Sequence, residues 1–462
     1  MRIAIVGAGL AGLSAAYELR EHDVDVYEGS GRIGGKLYSV AFNDGPTDMG
    51  AEAFLARNAE AVEFFTELGL GDSLVAPSGL RPLLYVDDKL QALPTGGMMG
   101  IPSSAEKIAA LVSAESARRI GNEEPFEWTP GGDVSVGALV RQQYGADVVE
   151  HVVSALLGGV YSCTADDLGL RATIPGLARV LDEQAAQGSV TLSGAVKILE
   201  QSRVSTPGKG APFRAFRGGY AEVYEALAEK SGADIHLDSF ISGISHRPGE
   251  GYVLKGAPAD APLYEGVVLA TPAPTTARLM AGIAPQAAEA LREVKLASSA
   301  VVGFKFDSDV DPEGNELPQN TGILVATDQE DVHAKAFTLS SRKWPHLAER
   351  GGALVRASFG RFGDDALVRA DEETLVDYAL DDLAHITGFD GRAAGVSEIF
   401  TQRWFGGLPR YDEHHLETVS SVLGALADVP SIAVAGSWVN GVGVPAVIAQ
   451  AREAARRLIG AK

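Results

Sequence analysis

The sequence predicts an α/β protein in which the beginning and the end of the chain belong to one domain. Strand and helix patterns alternate over roughly the first 70 residues, a mostly helical stretch spans 102–188, and a strand-rich stretch spans 300–404. A strand at 432–435, a glycine loop and a helix at 445–459 then resume the α/β alternation. The 462 residues are enough for two or three domains.

Composition and charge exclude several classes of protein. The net charge of −22, from 39 Lys and Arg against 61 Asp and Glu, disfavours binding to nucleic acid or to an anionic membrane surface. Residues 1–6 read as a strand rather than a signal peptide, and no apolar run is long enough to span a bilayer. The single Cys163 excludes an internal disulfide and fits a reducing compartment. We therefore expect a cytoplasmic protein without integral membrane association.

The first motif is a glycine loop between a strand at 2–6 and a helix that runs to about residue 20. In this loop Gly7 permits a tight turn, Gly9 lets a pyrophosphate approach the backbone, and Gly12 lets the helix pack on the strand. The next strand ends at Glu28, 21 positions after Gly7, where an acid binds a ribose hydroxyl and disfavours NADP. The pattern predicts a Rossmann-like dinucleotide-binding unit.

A second glycine loop follows directly, with the sequence Gly-Ser-Gly-Arg-Ile-Gly-Gly-Lys-Leu-Tyr-Ser over 29–39. Arg32 is able to neutralise a phosphate, and the paired glycines allow a second loop to approach the same cofactor. The segment resembles the R-x-G-G-[RK]-x-x-[ST] element of FAD enzymes of the amine-oxidase type, with Lys36 at the basic position. A P-loop is excluded because Ser30 and Leu37 replace two of its essential residues.

A third glycine-rich segment lies near the end of the chain, after the strand at 432–435 and before the last helix. The amino end of such a helix is able to face the flavin ring or the ribityl phosphate. Many FAD enzymes carry an acid after the first glycine of this loop, whereas this chain has Ser437, so we expect a hydroxyl contact. The alternative interpretation is a plain glycine-rich connection.

Further segments carry a resemblance along almost the whole chain. They are 48–55, 84–86 with 93–96, 159–161, 216–220, 269–272, 343–346, 408–411 and 436–443. Together with the glycine loops, they resemble the protoporphyrinogen/coproporphyrinogen oxidase family. The resemblance implies that FAD removes six electrons from a porphyrinogen in three steps and that O₂ reoxidises the flavin with release of H₂O₂. A further hypothesis is that the product passes to a ferrochelatase.

The resemblance also implies the domain organisation. We expect a discontinuous Rossmann-like FAD-binding domain, a mixed β-sheet substrate domain and a helical insert. The FAD-binding domain comprises 1–73, 214–276 and 425–462, and the substrate domain comprises 74–96 and 277–424. The helical insert covers 97–205, and 206–213 is a Pro/Gly-rich linker.

The candidate site residues follow from the motifs and the resemblance. The resemblance implies that the Gly159 carbonyl orients pyrrole N–H groups, although a helix C-cap explains this glycine equally well. Arg81 and Lys343 are candidates to bind propionates; the alternatives are a solvated Arg81 and a Lys343 that lies over the ring of Trp344. The residues assigned to FAD are Gly7, Gly9, Leu10, Ala11, Gly12, Glu28, Gly29, Arg32, Gly34, Gly35, Lys36, Gly50, Ala51, Glu52, Ile241, Thr271, Gly436, Ser437, Gly443 and Val444.

The polarity of the helical insert favours one branch of the family. Membrane-bound protoporphyrinogen oxidases place an apolar surface there, whereas this chain has charged residues at 106, 107, 115, 118, 119, 123, 124 and 127. This favours the soluble coproporphyrinogen III oxidases of Gram-positive bacteria. The alternatives are a protoporphyrinogen IX oxidase, an FAD amine oxidase or carotenoid-type desaturase, and a non-enzymatic escort protein with the same fold.

Local patterns predict individual elements. Asn58 is predicted to cap a helix over 61–68, and Ser103 with Glu106 forms a capping box that predicts another helix start. Helices are also predicted at 136–144, 147–157, 177–186, 220–230 and 371–385, and strands at 235–244, 251–255, 266–270, 300–306, 323–326, 353–359 and 396–404. The adjacent His414 and His415 would point apart in a strand, so we expect no metal site.

Overall fold

The computed structural model describes residues 1–57, 59–205 and 211–460. Contacts divide the chain into two compact units. Unit 1 comprises Met1–Ala76, Gly210–Lys295 and Leu416–Lys462, and unit 2 comprises Pro77–Lys209 and Leu296–His415. The predicted helix cap at Asn58 and residues 206–210 of the predicted linker lie outside the described residues. The predicted division into three domains stays a prediction.

The strands lie in two parts of the chain, before residue 93 and after residue 212. In chain order they are β1 (Arg2–Val6), β2 (Asp23–Tyr27), β3 (Ser39–Phe42), β4 (Gly45–Asp48), β5 (Phe54–Leu55), β6 (Leu74–Val75), β7 (Leu83–Val86), β8 (Lys89–Ala92), β9 (Phe213–Phe216), β10 (Asp234–His236), β11 (Gly243–Arg247), β12 (Gly251–Lys255), β13 (Gly266–Leu269), β14 (Leu296–Phe306), β15 (Gly322–Val325), β16 (Ala336–Thr338), β17 (Ala353–Phe359), β18 (Val396–Pro409) and β19 (Ile432–Val434).

The helices lie between these strands and in the central third of the chain. In chain order they are α1 (Leu10–Glu18), α2 (Ala59–Glu67), α3 (Ala114–Gly121), α4 (Val136–Gln143), α5 (Ser154–Tyr161), α6 (Leu170–Thr173), α7 (Pro175–Ala186), α8 (Leu192–Ser205), α9 (Ala221–Ser231), α10 (Ala273–Met280), α11 (Pro285–Leu291), α12 (Ser340–Lys343), α13 (Pro345–Ala348), α14 (Asp365–Val368), α15 (Glu372–Thr387), α16 (His415–Leu426) and α17 (Val444–Gly460). None of the described helices is long and apolar enough to cross a membrane.

The described part of unit 1 is built on a parallel sheet in the order β10-β2-β1-β13-β19. The apolar side chains of β1 are buried on both faces: Ile3 and Ile5 pack in a core with α1, α9 and α17, and Ala4 and Val6 pack in a second core that includes α10 and α11. Parallel strands joined by helices end at the same edge of a sheet, so the loops after β1, β2, β13 and β19 share one edge. This arrangement confirms the predicted Rossmann-like fold.

One predicted strand in unit 1 was wrong. The stretch 235–244 is not continuous, because β10 ends at His236 and β11 begins at Gly243. Between them, Asp238 has a positive φ of 51°, and its N–H donates to the Ser30 carbonyl oxygen at 3.0 Å. The Ser239 N–H donates to the Glu28 carbonyl oxygen at 2.8 Å. These bonds tie the segment to the loop after β2 and take it out of the sheet.

The described part of unit 2 contains a mixed sheet in the order β18-β14-β17-β16-β15-β7-β8. Only the pair β15 and β7 is parallel within it; the other neighbours are antiparallel. Helix α15 packs on this sheet, and the core between them is rich in aromatic rings such as Phe304, Phe306 and Phe389. The predicted mixed β-sheet is therefore confirmed.

One prediction in the helical part of unit 2 was wrong. Ser103 and Glu106 do not form a capping box, because the Ser103 hydroxyl donates to Glu200 at 2.7 Å and the segment forms only a 3₁₀ turn at Ala105–Lys107. The predicted helix over 147–157 is confirmed; it begins as a π-helical turn, Val148–Val153, and continues as α5 to Tyr161. A second error lies at the edge of unit 2, where His415 starts a helix, not a strand, and stacks on Tyr411.

Candidate functional site

The first glycine loop in unit 1 has the geometry that the motif predicts. Gly7 has a φ of +104°, and a Cβ at this position would lie 2.7 Å from the Ala270 carbonyl oxygen. A Cβ at Gly12 would lie 1.8 Å from the Gly7 carbonyl oxygen. Both distances are shorter than a van der Waals contact, so these two positions require glycine. The turn and the close packing of α1 on β1 depend on them.

The space beside Gly9 is open. Among the described residues, a Cβ built on Gly9 meets only the Gly35 Cα, at 3.7 Å. Helix α1 begins at the next residue, Leu10. No side chain of the described residues caps its amino end, and its first turn contains no acidic residue. The N–H groups at this helix end are therefore available to an anion. These features fit a cofactor that contains a pyrophosphate.

The second glycine loop contacts the first. The Gly34 N–H donates to the Ala8 carbonyl oxygen at 2.8 Å, and a Cβ at Gly35 would lie 2.9 Å from the Gly9 Cα. Arg32 stabilises the conformation of this loop, because its guanidinium donates a hydrogen bond to the Gly35 carbonyl oxygen at 2.7 Å. The same group lies 4.1 Å from the centre of the Tyr38 ring. A contact between Arg32 and phosphate stays a prediction.

Glu28 connects both loops at the end of β2. One of its carboxylate oxygens accepts the Ala8 N–H at 2.8 Å, and the other accepts the Ser30 N–H at 2.9 Å. The carboxylate is half-buried, so it lies at the surface of the cradle formed by the two loops. The predicted contact with a ribose hydroxyl is untested, but the position of Glu28 beside the glycine loop is the one that its spacing predicts.

The third glycine segment lies at the same edge of the sheet. The Lys36 Nζ lies 3.4 Å from the Ser437 Oγ, although the two residues are 401 positions apart. The Trp438 indole N–H donates to the Thr271 carbonyl oxygen at 3.2 Å. Helix α17 then begins at Val444. The structure therefore brings together residues after β1, β2, β13 and β19, all of them within unit 1.

The remaining residues assigned to FAD have different environments. Leu10 and Ala11 are buried in α1, and Glu52, Ile241 and Gly436 are also buried. Gly50 and Ala51 are half-buried, and Gly443 is exposed. Gly29 is exposed beside the Phe240 ring, and a Cβ built on it would lie 3.4 Å from that ring. Individual contacts of these residues with FAD stay predictions.

Sequence reasoning missed two groups that support the cradle. Asp48 accepts the Tyr220 N–H at 3.0 Å, which links two of the segments that carry the family resemblance. The Gln450 side chain bridges the Gly436 N–H and the Val434 carbonyl oxygen, at 3.1 and 3.0 Å, and so holds the loop after β19. The Gln450 contact could not be predicted from a local sequence motif, because it joins a helix residue to a strand residue 16 positions earlier.

Lys36 is the cation of this cradle. Burial lowers the pKa of its amine to about 8. No carboxylate of the described residues lies within ion-pair distance of the amine. The amine instead donates a hydrogen bond to the neutral Ser437 hydroxyl. A desolvated ammonium without a counter-ion is stabilised by a nearby anion. Lys36 therefore fits a cofactor that carries negative charge.

We expect the affinity of the apoprotein for FAD to fall as the pH rises above about 8. An anionic cofactor stabilises the Lys36 ammonium and raises its pKa, so binding takes up a proton above this pH. The dissociation constant should rise about tenfold between about pH 7 and about pH 9. Fluorescence titration of apoprotein with FAD measures this slope. Lys36→Met should flatten it, whereas Lys255→Gln, at an exposed position in the same unit, should leave it unchanged.

Gly159 lies in unit 2, in the last turn of α5. The Ser162 N–H donates to the Gly158 carbonyl oxygen at 3.0 Å, and Ser162 itself ends the helix with a positive φ of 52°. The carbonyl of Gly159 therefore lies beyond the last helical hydrogen bond, and the residue is exposed. Its interpretation as the helix C-cap was wrong, because α5 continues to Tyr161 and Ser162 is the C-cap. The role of its carbonyl stays a prediction.

Arg81 and Lys343, the two predicted propionate ligands, have different environments in unit 2. Arg81 is exposed, and its backbone carbonyl accepts the Asn320 side chain at 2.9 Å. The Lys343 ammonium lies 5.2 Å from the centre of the buried Trp344 ring. The Lys343 carbonyl oxygen accepts the Ser78 N–H at 2.8 Å, three residues before Arg81. Binding of propionates by either side chain stays a prediction.

Comparison with known proteins agrees with this geometry. Residues 10–459 match the family described as flavin containing amine oxidoreductase. The chain therefore belongs to this family and is an FAD-dependent oxidoreductase. It is 38% identical over 466 residues to the coproporphyrinogen III oxidase of Mycobacterium tuberculosis, which covers 99% of this chain and 97% of the relative. It is 27% identical to the coproporphyrinogen III oxidase of Staphylococcus aureus, over 99% of this chain and 98% of the relative.

A solved structure has the same fold along the whole chain. It is that of an Exiguobacterium protein provisionally assigned as a protoporphyrinogen oxidase, with a TM-score of 0.84 and 26% identity. The match covers 100% of this chain and 99% of that protein. The resemblance stated from the motifs is therefore confirmed, and so is FAD as the cofactor.

Proposed function

We propose that this protein oxidises coproporphyrinogen III to coproporphyrin III in heme biosynthesis, with O₂ as the electron acceptor and H₂O₂ as the second product. The observation that carries the proposal is the 38% identity, over 99% of the chain, to a coproporphyrinogen III oxidase. The cradle of unit 1 adds support, because it offers an uncapped helix end, an open space beside Gly9 and the half-buried cation Lys36 to a dinucleotide.

The reaction removes six electrons and six protons from the macrocycle. FAD, when bound, accepts the electrons two at a time, and three O₂ molecules become three H₂O₂ in one complete reaction. Because aromatisation of the ring favours the product, the reaction asks little acid or base catalysis of the protein. The work of the chain is then to hold the cofactor and to orient the substrate in a site that excludes water.

Individual residues of the chain have distinct parts in this proposal. The N–H groups at the start of α1 and the Lys36 ammonium hold the phosphates, and Glu28 holds the ribose. In unit 2, the Gly159 carbonyl accepts hydrogen bonds from pyrrole N–H groups of the substrate. Support for this comes from its position beyond the last helical hydrogen bond, at the negative end of the α5 dipole.

A second candidate function is the oxidation of protoporphyrinogen IX. It is favoured by the likeness to the Exiguobacterium protein, whose assigned activity is that of a protoporphyrinogen oxidase. The two substrates differ in charge, because coproporphyrinogen III carries four propionates and protoporphyrinogen IX carries two. A site that prefers the first must supply more cationic or hydroxyl partners.

The test compares the two substrates directly, without detergent. Purified holoenzyme should convert coproporphyrinogen III to its fluorescent porphyrin with a kcat/KM at least about tenfold above that for protoporphyrinogen IX, because two additional carboxylates are bound. Simultaneous measurement of H₂O₂ should give about three molecules for each porphyrin. An equal or reversed preference would replace the first proposal by the second. Porphyrin formation without H₂O₂ would refute O₂ as the acceptor.

We also propose that the protein works in the cytoplasm and passes its product to a ferrochelatase. The single buried Cys163 and the net charge of −22 support a reducing, aqueous compartment. The product is a metal-free porphyrin, so the next reaction in heme synthesis must insert iron.

A further inference from the structure

Two cations lie at the carboxyl end of α5 in unit 2. The first is Lys335, which is 5% exposed. Its ammonium donates to the Ser162 hydroxyl at 2.6 Å and to the Gly360 carbonyl oxygen at 2.7 Å. Lys335 therefore joins the residue that ends α5 to the loop that follows β17.

The second cation is Arg361 in that same loop. The Phe362 N–H donates to the Ser162 carbonyl oxygen at 2.7 Å, so the loop is fixed to α5 on both sides of Arg361. The guanidinium is half-buried and points toward α5: a Cβ at Gly158 would lie 3.8 Å from the Arg361 Nε. The fixed loop and the missing side chain at Gly158 leave the guanidinium next to the exposed end of the helix.

This pair of cations has no counter-ion in the described residues. No carboxylate lies within 4.0 Å of Lys335 or Arg361, and the Arg361 Nε is buried without a hydrogen-bond partner. Asp364 acts on the Arg361 guanidinium only at longer range. Two other partly buried arginines of unit 2, by contrast, have carboxylate partners: Arg342 lies 3.0 Å from Asp309, and Arg171 lies 2.9 Å from Asp182.

An unpaired cation in this environment is costly. Burial lowers the pKa of Lys335 to about 7, and the nearby Arg361 charge adds to this lowering; burial also lowers the pKa of Arg361. The negative end of the α5 dipole offsets part of this cost. The remaining cost indicates that the arrangement is completed by an anion. A planar guanidinium with a free edge is well suited to a carboxylate.

We propose that Arg361 binds a carboxylate of the substrate beside the Gly158–Gly159 end of α5, and that Lys335 is the positioning residue that holds the Arg361 loop. The proposal rests on the function proposed above, since a porphyrinogen with propionates supplies the carboxylate. It adds to the predicted residues Arg81 and Lys343 a third cation, which lies next to the glycine predicted to orient the pyrroles.

The alternative is that Arg361 only stabilises the end of α5. A structural role and a binding role predict different results when the ligand, not the protein, loses its charge. The product coproporphyrin III has four carboxylates, and its tetra-amide has the same ring with none. Arg361→Gln should weaken binding of the acid alone if the guanidinium contacts a carboxylate, whereas damage to α5 should weaken both.

The experiment titrates holoenzyme with both porphyrins and follows the quenching of their fluorescence. Arg361→Gln should raise the Kd for coproporphyrin III about tenfold and change that for the tetra-amide less than twofold, and Arg361→Lys should restore part of the loss. Arg179→Gln is the matched control, because it removes the same charge from an exposed position of unit 2. Flavin content should not change in any variant, and the thermal midpoint should not fall.

An unchanged Kd for coproporphyrin III in Arg361→Gln, or an equal loss for the acid and the amide, would overturn the inference. Failure of the proposed function is seen separately, in the wild-type protein. If the wild type does not oxidise coproporphyrinogen III, the proposed function fails whatever Arg361 does. If it does and Arg361→Gln binds the product normally, only the assignment of Arg361 fails.

Discussion

Gly12→Ala is expected to yield a protein without FAD. The new methyl carbon would lie 1.8 Å from the Gly7 carbonyl oxygen, a backbone atom that cannot avoid the clash by a change of rotamer. The clash is removed only if α1 moves away from the loop, and this also moves the N–H groups at the start of α1. We expect a loss of stability of about 3 kcal/mol, the upper end for an overpacked core site. The ratio of flavin to protein absorbance after purification, together with thermal unfolding, measures both effects.

Gly424→Ala is the matched control for this variant. Gly424 also lies within a helix of unit 1, α16, but no atom of the described residues is within 4 Å of a Cβ at this position. Alanine favours a helix over glycine by about 1 kcal/mol, so this variant should keep its FAD and unfold at a slightly higher temperature. Full flavin content in Gly12→Ala would show that the first loop does not have the close packing described above.

The glycine loops were predictable because their requirements are local. Gly7 and Gly12 lie in one turn between a strand and a helix, and the atoms that exclude a side chain at Gly12 belong mainly to the same turn. The same reasoning explains why β12 and β17 have the predicted bounds, since each is a short alternating or apolar run between turn residues. Where a short segment determines its own conformation, that conformation can be predicted from the sequence of the segment.

The errors occur where distant residues compete for local groups. Ser103 was predicted to cap a helix, but Glu200, 97 positions away, accepts its hydroxyl. The strand predicted over 235–244 breaks because its N–H groups bond the loop after β2 instead of a neighbouring strand. Local capping and strand patterns contain no information about these partners, which only the folded chain brings together.

The cluster around Arg361 shows the same limit for the site. Its members Ser162, Lys335 and Arg361 come from a helix end and from two strand ends that lie far apart in the sequence. None of the three lies in a local sequence motif that indicates a binding site, and a lone arginine after a strand is usually solvated. The signal is the absence of a paired carboxylate among the described residues, and this is visible only in three dimensions.

Gly159→Ala is expected to lower kcat/KM about 100-fold without destabilising the protein. A Cβ at Gly159 meets only the Leu324 Cδ2 among the described residues, at the ordinary contact distance of 3.6 Å, so the fold accepts the methyl group. Alanine also favours the last turn of α5 over glycine. The methyl group, however, occupies exposed space beside the carbonyl that we propose for the pyrroles, and a displacement of about 1 Å is enough for such a loss.

Steady-state kinetics with coproporphyrinogen III and thermal unfolding together test this prediction. Gly176→Ala is the matched control, because a Cβ in this helix of unit 2 also meets only a leucine methyl among the described residues, Leu199 Cδ2 at 3.7 Å. Both variants should be as stable as the wild type or more so, by up to about 1 kcal/mol. Only Gly159→Ala should lose activity. The fold accommodates both methyl groups, but only the one at residue 159 lies in the space that we propose for the substrate. Equal activity of the two variants would mean that the end of α5 does not contact the substrate, and the carbonyl of Gly159 would then have no part in orienting it.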